Sequence, residues 1–274
     1  MRLFLQIIPW ILFVVLYFPI FWGLYRSRWA SIDYTHAYFI LPIVLLMVWT
    51  KRKEIREKMF IRDPDIFMGL FLFLFGITSL IFGYGQGYLF VQTISVIPVV
   101  LGMVIFLYNR EVAKLIAFPI LYLLLLIPIP AGILDNITLP MRYATAVASA
   151  KILASMHYEV IRQGLLLNVN GYNIFMGAPC SGFRSLITML SLGLIYIFFS
   201  KGSVFKNLVL FLSIFPMAFI GNVIRVTALC LITVYFGDEA GRGFFHNFSG
   251  IVVFFFMICG MMLLEHILAK RFNK

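Results

Sequence analysis

The 274-residue chain is 62% hydrophobic and only 12% charged, with a mean hydropathy of +1.00. Soluble domains carry roughly a quarter charged residues, so the composition excludes a soluble domain and indicates an integral membrane protein. The formal net charge of +11 is then read as a signal of orientation across the bilayer and not of nucleic-acid binding. The three cysteines have no CxxC spacing, and there is neither an H-E-x-x-H motif nor a Gly-rich phosphate loop. No metal and no cofactor are therefore predicted.

Apolar stretches recur along the whole chain. A helix needs about 20 mainly apolar residues to cross a bilayer, and eight stretches approach or exceed that length. We therefore predict an all-α integral membrane protein that forms one polytopic domain over residues 1–274 and has no cleavable signal peptide. The one long connection is the linker 130–179. The predicted spans are residues 3–23, 36–50, 66–83, 89–108, 112–129, 180–200, 206–236 and 247–268.

The basic residues are distributed unevenly between the two sides of the predicted membrane domain. With the N-terminus in the cytoplasm, the inner segments hold fourteen Lys and Arg residues and the outer segments hold six. This bias follows the positive-inside rule. It predicts a protein of the cell (inner) membrane with both termini cytoplasmic and with the linker 130–179 outside.

The outer linker has a structure of its own. Residues 134–157 are rich in alanine and predict a helix that lies at the interface or packs on the bundle, with Pro140 marking its start or a kink. Further on, Asn170-Gly171 separates two strand-like runs, which predicts a short β-hairpin with a type I′ turn. The hairpin leads the chain to Pro179-Cys180, where the sixth span begins.

Three polar residues in consecutive spans are expected at one level. At about 1.5 Å per helical residue, Cys180 stands roughly 31 Å above the inner lysine of its span. Arg225 stands roughly 28 Å and His246 roughly 36 Å above theirs. A hydrocarbon core is about 30 Å thick, so a thiol, a guanidinium and an imidazole all fall near the outer interface.

These side chains suit covalent chemistry. A helix N-terminus and a cation lower the pKa of a cysteine, and Cys180 has Arg184 four residues later. A nearby histidine can take the thiol proton and later donate it to a leaving amine. Arg225 remains charged in an apolar site and can stabilise an oxyanion or hold a carboxylate. Asn222 shares its helical face and could orient it.

The remaining cysteines have a simpler interpretation. Cys259 lies at mid-bilayer, about 17 Å above its inner lysine, where a thiolate would be unsupported. Cys230 faces roughly 140° away from Arg225 around the helix. Both are interpreted as packing residues.

Two points of the residue-level analysis stay open. Arg225 lies close enough to the interface to extend its guanidinium towards water, as an alternative to a functional role. His36 and His157 are also on the outer side, so helix geometry alone does not select His246 as the base.

Three motifs together resemble the exosortase/archaeosortase family of membrane transpeptidases. They are "APCSGFRSL" (178–186), "GNVIRV" (221–226) and "HNFSG" (246–250). The resemblance extends upstream to "DYTHAYFILP" (33–42) and to residues 126–153. It therefore covers most of the chain, with the motifs in the same order.

The resemblance implies a site made of cysteine, arginine and histidine. Cys180 would be the nucleophile, His246 the acid and base, and Arg225 the group that stabilises the oxyanion or the substrate. His36 stands in "THA" where the family signature has "SHG". The positions that the motifs mark as substrate-binding or supporting are Arg184, Asn222, Ser181, Asn247 and His36.

The resemblance also implies the partners. Substrates would be exported proteins with a C-terminal signal made of a short motif, a transmembrane helix and a basic tail. Cys180 would form a thioester and pass the product to an acceptor of unknown identity. Besides substrate and acceptor, membrane lipid is the expected partner, and nucleic acid is not.

Other functions remain as alternatives. A transporter or export component could bind an anionic solute through Arg225, although the absence of acidic residues from the middle of the predicted spans disfavours a proton-coupled carrier and an intramembrane aspartyl protease. A cysteine protease would hydrolyse the same thioester with water. A degenerate homologue could act as a scaffold.

Overall fold

The computed structural model is mostly helical, with one small antiparallel sheet. It forms two compact units, 1–130 and 131–274, which are described separately. A single membrane domain therefore remains a prediction. The structure describes residues 2–29, 34, 36–61, 63–176, 183–200, 203–237, 239, 255, 258–268 and 270.

The described elements of the first unit are all helical. A five-residue π-helical segment, Tyr25–Trp29, follows α1, and a 3₁₀ turn, Leu123–Leu126, follows α7. Its helices are α1 (Arg2–Leu24), α2 (Ala37–Thr50), α3 (Arg52–Lys58), α4 (Ile66–Gly85), α5 (Leu89–Ile94), α6 (Val96–Leu107) and α7 (Arg110–Tyr122).

The second unit combines helices with a sheet whose strand order is β1-β2-β3. Its elements are α8 (Ala131–Ser155), β1 (Val160–Gln163), β2 (Leu166–Val169), β3 (Tyr172–Phe175), α9 (Phe183–Phe199), α10 (Val204–Phe236) and α11 (Ile258–Leu268).

Four helical segments of the described chain are long and apolar enough to cross a membrane. Three further apolar helices, α2, Leu186–Phe199 and α11, are shorter. The fifth predicted span, 112–129, is divided between α7 and the 3₁₀ turn after it. The eight-span layout therefore remains a prediction. The four long segments are Ile7–Trp29, Ile66–Gly85, Leu89–Leu107 and Val204–Phe236.

A row of glycines lets α4 pack closely on α5 and α6 in the first unit. Gly69, Gly76 and Gly83 recur every seven residues and are all buried. A Cβ at Gly69 would lie 2.6 Å from the backbone nitrogen of Phe106, and one at Gly83 would lie 2.8 Å from that of Gln92. Small residues at such a seam allow the two helix backbones to approach.

In the second unit, α9, α10 and α11 pack around a shared apolar cluster. Met189, Ile214, Ala218 and Met261 are buried in it. At the Lys206 end of α10, the Lys206 ammonium donates to Glu265 of α11 over 2.6 Å. The Ser200 hydroxyl, just after α9, donates to the same carboxylate over 3.2 Å. One carboxylate thus ties three consecutive helical segments together.

The outer linker of the sequence forms α8 and the sheet. Helix α8 begins at Ala131 and contains Pro140, so Pro140 does not mark its start. The helix packs on α10, which is one of the two expected placements. Ala146 and Leu153 of α8 share a buried cluster with Val226 of α10.

The predicted hairpin is confirmed and forms part of a larger sheet. Asn170 and Gly171 have φ values of 48° and 86°, which are the positive values that a type I′ turn requires. This turn joins β2 to β3, with Val169 opposite Tyr172. The additional strand β1 joins β2 through Gly164, whose φ is 62°. Glycine at the first central position suits a two-residue turn of type II′.

Loss of one partner of the Lys206–Glu265 pair should destabilise the protein. The two side chains are only 8% and 23% exposed, and removing one partner of a buried pair costs about 3 kcal/mol or more because the other charge remains buried. Lys206→Met should therefore lower the Tm in detergent by several degrees. The double variant Lys206→Met/Glu265→Met should recover most of the loss. A double variant as unstable as the single one would contradict the pairing.

Candidate functional site

Helix α10 carries Asn222 and Arg225, two of the three predicted site residues whose side chains the structure describes; the third is His36. Ser203 caps its N-terminus by accepting a hydrogen bond from the Lys206 N–H over 3.3 Å, and Gly237 follows its last residue with a φ of 87°. Between these signals the helix is continuous. Arg225 therefore stands 19 residues, or about 28 Å, from Lys206 along it.

Arg225 and Asn222 are both buried. Asn222 is fully buried and Arg225 is 3% exposed. The guanidinium consequently does not extend to the surface, and that alternative interpretation of Arg225 is wrong. Because arginine remains charged under all ordinary conditions, this unit holds a permanent positive charge in its interior.

Helix α8 supplies the polar partner of Asn222. The Asn222 amide nitrogen donates to the Thr145 hydroxyl over 3.2 Å. One turn further, the Ser149 hydroxyl reaches the Val223 carbonyl over 3.5 Å. Thr145 and Ser149 are fully buried. The sequence analysis missed both, although small side chains four residues apart in an Ala-rich helix are a known signal of close helix contact.

The chain that leads to Cys180 packs on the turn of α10 that follows Arg225. Met176, directly after β3, is 1% exposed and lies in the same buried cluster as Val226 and Cys230. Cys180 is four residues after Met176, so an extended chain between them spans about 14 Å at most. The segment that leads to Cys180 thus starts from a buried cluster to which α10 contributes the residue after Arg225.

Four predicted site residues lie outside the described part of the chain: Cys180, Ser181, His246 and Asn247. Arg184 is the second residue of α9. The shared pocket of thiol, guanidinium and imidazole therefore remains a prediction.

The structure describes local contacts of His36 and His157. His36 belongs to the first unit, where its Nε2 lies 3.2 Å from the Leu125 carbonyl oxygen and its residue caps α2. His157 follows α8 with a φ of 67°, and its N–H donates to the Ala154 carbonyl. These contacts tie His36 to the 3₁₀ turn and place His157 at the end of a helix.

The two remaining cysteines differ from each other. Cys230 is fully buried, as expected of a packing residue. Cys259 on α11 is exposed, so its interpretation as a core residue is wrong. Helical rise predicted the depth of Cys259 but not which face of α11 the neighbouring helices cover.

A pair of tyrosines joins the ends of α8 and α10. The hydroxyls of Tyr158 and Tyr235 are 2.6 Å apart, and their rings meet edge to face. This hydrogen bond raises the pKa of Tyr158.

In the described part of the chain, no group of three or more His, Cys, Asp or Glu side chains could hold a metal ion.

A mostly helical chain with several membrane-length helices defines an integral membrane protein. The sequence model of the transmembrane exosortase family matches residues 29–264, so the chain belongs to that family. Members are membrane cysteine transpeptidases, and the chain accordingly has a transpeptidase-type role in protein sorting, with protein substrates. No curated protein and no solved structure matches the chain.

Removing the Thr145 hydroxyl should reduce activity more than a comparable change elsewhere on α8. Thr145→Val keeps the shape of the side chain but removes the partner of Asn222, which costs about 1 kcal/mol and loosens the residue one turn before Arg225. We expect transpeptidation to fall roughly tenfold, a change equivalent to about 1.4 kcal/mol. The measurement is the turnover rate alongside the Tm.

Thr138→Val is the matched control. Thr138 is also buried on α8, but its hydroxyl contacts Asp135 and Arg142 of the same helix. It should lower the Tm to a similar extent and leave turnover unchanged. Equal losses of turnover in the two variants would assign Thr145 a purely structural role.

Proposed function

We propose that the protein cleaves the C-terminal sorting signals of exported proteins at the extracytoplasmic face of the membrane and transfers the product to an acceptor nucleophile. Cys180 is the nucleophile, His246 is the general acid and base, and Arg225 stabilises the oxyanion. The supporting positions are Arg184, Asn222, Ser181, Asn247 and His36.

The observation that carries this proposal is the burial of Arg225 on α10, the helix that shares a buried cluster with Met176 at the start of the Cys180 segment. A guanidinium 3% exposed is expensive to hold in the interior of a membrane protein. Such a charge acts strongly on an anion that develops next to it, because little water is present to screen it. Family membership supplies a reaction in which an anion develops.

The first half-reaction is an acyl transfer to sulfur. The Cys180 thiol loses its proton to His246, and the thiolate attacks the carbonyl carbon of the scissile peptide bond. The carbonyl oxygen becomes an oxyanion, which Arg225 stabilises. The intermediate collapses with cleavage of the C–N bond, and His246 donates its proton to the departing amine. The substrate is then a thioester of Cys180.

The second half-reaction regenerates the enzyme. The acceptor nucleophile gives its proton to His246 and attacks the thioester carbonyl. The C–S bond breaks, the sulfur takes back a proton, and the substrate leaves bonded to the acceptor. Water in place of the acceptor would give hydrolysis by the same steps.

The membrane completes the site in this proposal. Both termini are cytoplasmic, eight spans form one domain, and the site lies at the outer face. The transmembrane helix of the signal keeps the short motif at the level of Cys180, and its basic tail stays inside for the reason that orients the enzyme. Restricting the substrate to the plane of the bilayer shortens the search for the correct orientation.

Loss of the thiol should abolish processing. The reporter is a secreted domain fused to a motif, helix and basic tail taken from the same genome and co-expressed with the enzyme. Cys180→Ala should reduce its processing by about 10⁴-fold or more, as for other covalent catalysts, with expression and Tm unchanged. Cys259→Ala, which removes an exposed thiol of α11, is the matched control and should process normally.

The same reporter identifies the reaction. The mass of its new C-terminus should equal the cleaved chain plus an acceptor group. A free carboxylic acid as the sole product would establish hydrolysis instead of transfer. Full processing by Cys180→Ala would overturn the cysteine mechanism.

Loss of the positive charge at residue 225 should lower the reaction rate but leave the Cys180 thiol available. Arg225→Ala should lower kcat by about 10²- to 10³-fold, as expected for the loss of one oxyanion donor. Arg225→Lys should recover only part of the lost kcat, because lysine lacks the planar guanidinium with its paired N–H donors. Alkylation of Cys180 should continue in both variants. Loss of activity in Arg225→Ala with full activity in Cys180→Ala would instead support an anion transporter.

A further inference from the structure

The strand that precedes Cys180 is an edge strand. The order of the sheet is β1-β2-β3, and within the described residues no strand pairs with β3 on its far side. Phe175, the last residue of β3, is five residues before Cys180. Extended chain of that length reaches at most about 17 Å. An open edge therefore lies within a short reach of the proposed nucleophile.

The register shows which peptide groups this edge offers. The Met176 N–H donates to the Leu165 carbonyl over 2.8 Å, so this pair is hydrogen-bonded. Hydrogen-bonded and non-hydrogen-bonded pairs alternate along antiparallel strands. Asn173 and Phe175, opposite Asn168 and Leu166, are therefore non-hydrogen-bonded to β2. Their N–H and C=O groups point away from the sheet.

The two faces of the sheet differ in the burial of their side chains. Leu167, Val169 and Met176 are buried against α8 and α10, which holds the sheet in place. On the opposite face Ile161 is 62% exposed and Phe175 is 66% exposed. A peptide beside β3 would find peptide groups at the edge and an apolar side chain at its end.

The other edge of the sheet is occupied differently. Strand β1 lies next to α8, and the Arg162 guanidinium stacks over the Tyr143 ring of that helix at 4.8 Å. Val160 packs against the buried cluster that α8 and α10 share. Strand β3 contacts α10, and its edge is the one that leads towards Cys180 and that no other strand of the described residues covers.

We propose that the short motif of the sorting signal binds in extended form along the free edge of β3 and forms a fourth strand of the sheet. The inference rests on the proposed function and specifies how its site holds the substrate. Main-chain pairing accepts peptides of varied sequence and leaves alternate side chains to provide specificity. It would also hold the scissile carbonyl in a fixed orientation beside Cys180.

Proline scanning of the edge tests the pairing. Proline removes an N–H and is tolerated at an edge position that faces outwards. Asn173→Pro should raise the KM for the reporter about tenfold above that of Asn173→Ala, which loses the same side chain but keeps the N–H. The KM of Phe175→Pro should likewise exceed that of Phe175→Ala. Arg162→Pro, at an outward position of the β1 edge, should leave the KM unchanged.

The outcomes separate this inference from the proposed function. Equal KM values for Asn173→Pro and Asn173→Ala, with Cys180→Ala inactive, would overturn the edge as the binding site and leave the peptidase intact. Full processing by Cys180→Ala would overturn both.

Cross-linking tests the same geometry without turnover. In a variant with Cys180, Cys230 and Cys259 replaced by alanine, Asn173→Cys or Phe175→Cys is oxidised with reporters carrying one cysteine at successive motif positions. Directly opposed residues of hydrogen-bonded antiparallel strands have Cα atoms about 5.5 Å apart, which is within the Cα–Cα range of a disulfide, so the yield should alternate with a period of two residues. Ile161→Cys on β1 lies on the same face but about 10 Å further from the peptide than β3 and should give none. Equal yield at residue 161, or no cross-link at 173 and 175, would overturn the proposal.

Discussion

Burial of the Arg225 guanidinium is the constraint on which the second unit depends. Arginine cannot escape the penalty of burial by losing its proton, and an enclosed ion costs several kcal/mol unless its surroundings compensate for it. At 3% exposure, the Arg225 guanidinium therefore requires surroundings that hold a permanent charge with little water.

The elements around Arg225 act as its support. Helix α8 runs alongside the second half of α10. The Thr145 side chain is hydrogen-bonded to Asn222, and 13 residues further along both segments Tyr158 is hydrogen-bonded to Tyr235. At 33 residues, α10 is about 50 Å long, roughly 20 Å more than a hydrocarbon core requires. In the proposed orientation, α8 and the sheet enclose the part that projects beyond the bilayer. An interfacial helix predicted from composition is therefore a structural partner of the helix that carries the arginine.

Local signals predicted local structure well. Asn170-Gly171 fixed the type I′ turn because both residues tolerate a positive φ, and apolar length identified the long spans. Gly164 carried an equivalent signal for the second turn and was overlooked, so the strand β1 was missed. Pro140 lies inside α8, so of the two roles predicted for it the start of the helix is wrong.

Contacts between elements that are distant in the chain could not be predicted from the sequence. Periodicity showed which residues share a face, but not which helix covers that face. The exposure of Cys259 and the contact between Thr145 and Asn222 depend on how α8, α10 and α11 assemble. The predicted chemistry of the site rests on the motifs and on helical rise, which assign the thiol, the guanidinium and the imidazole to one level. Their meeting remains a prediction.

Two weakly selective interactions, of the substrate helix with the bilayer and of the motif with the edge of β3, would together give a selective enzyme. A bilayer accepts any apolar helix, and an edge strand accepts any extended peptide, so neither alone identifies a substrate. The two act on adjacent parts of one chain, however, and each fixes what the other leaves free: the bilayer sets the height of the motif, and β3 sets its direction. Once both are set, the bond beside Cys180 is determined by the number of residues between motif and helix. The length of that spacer would then select the substrate as strongly as its sequence.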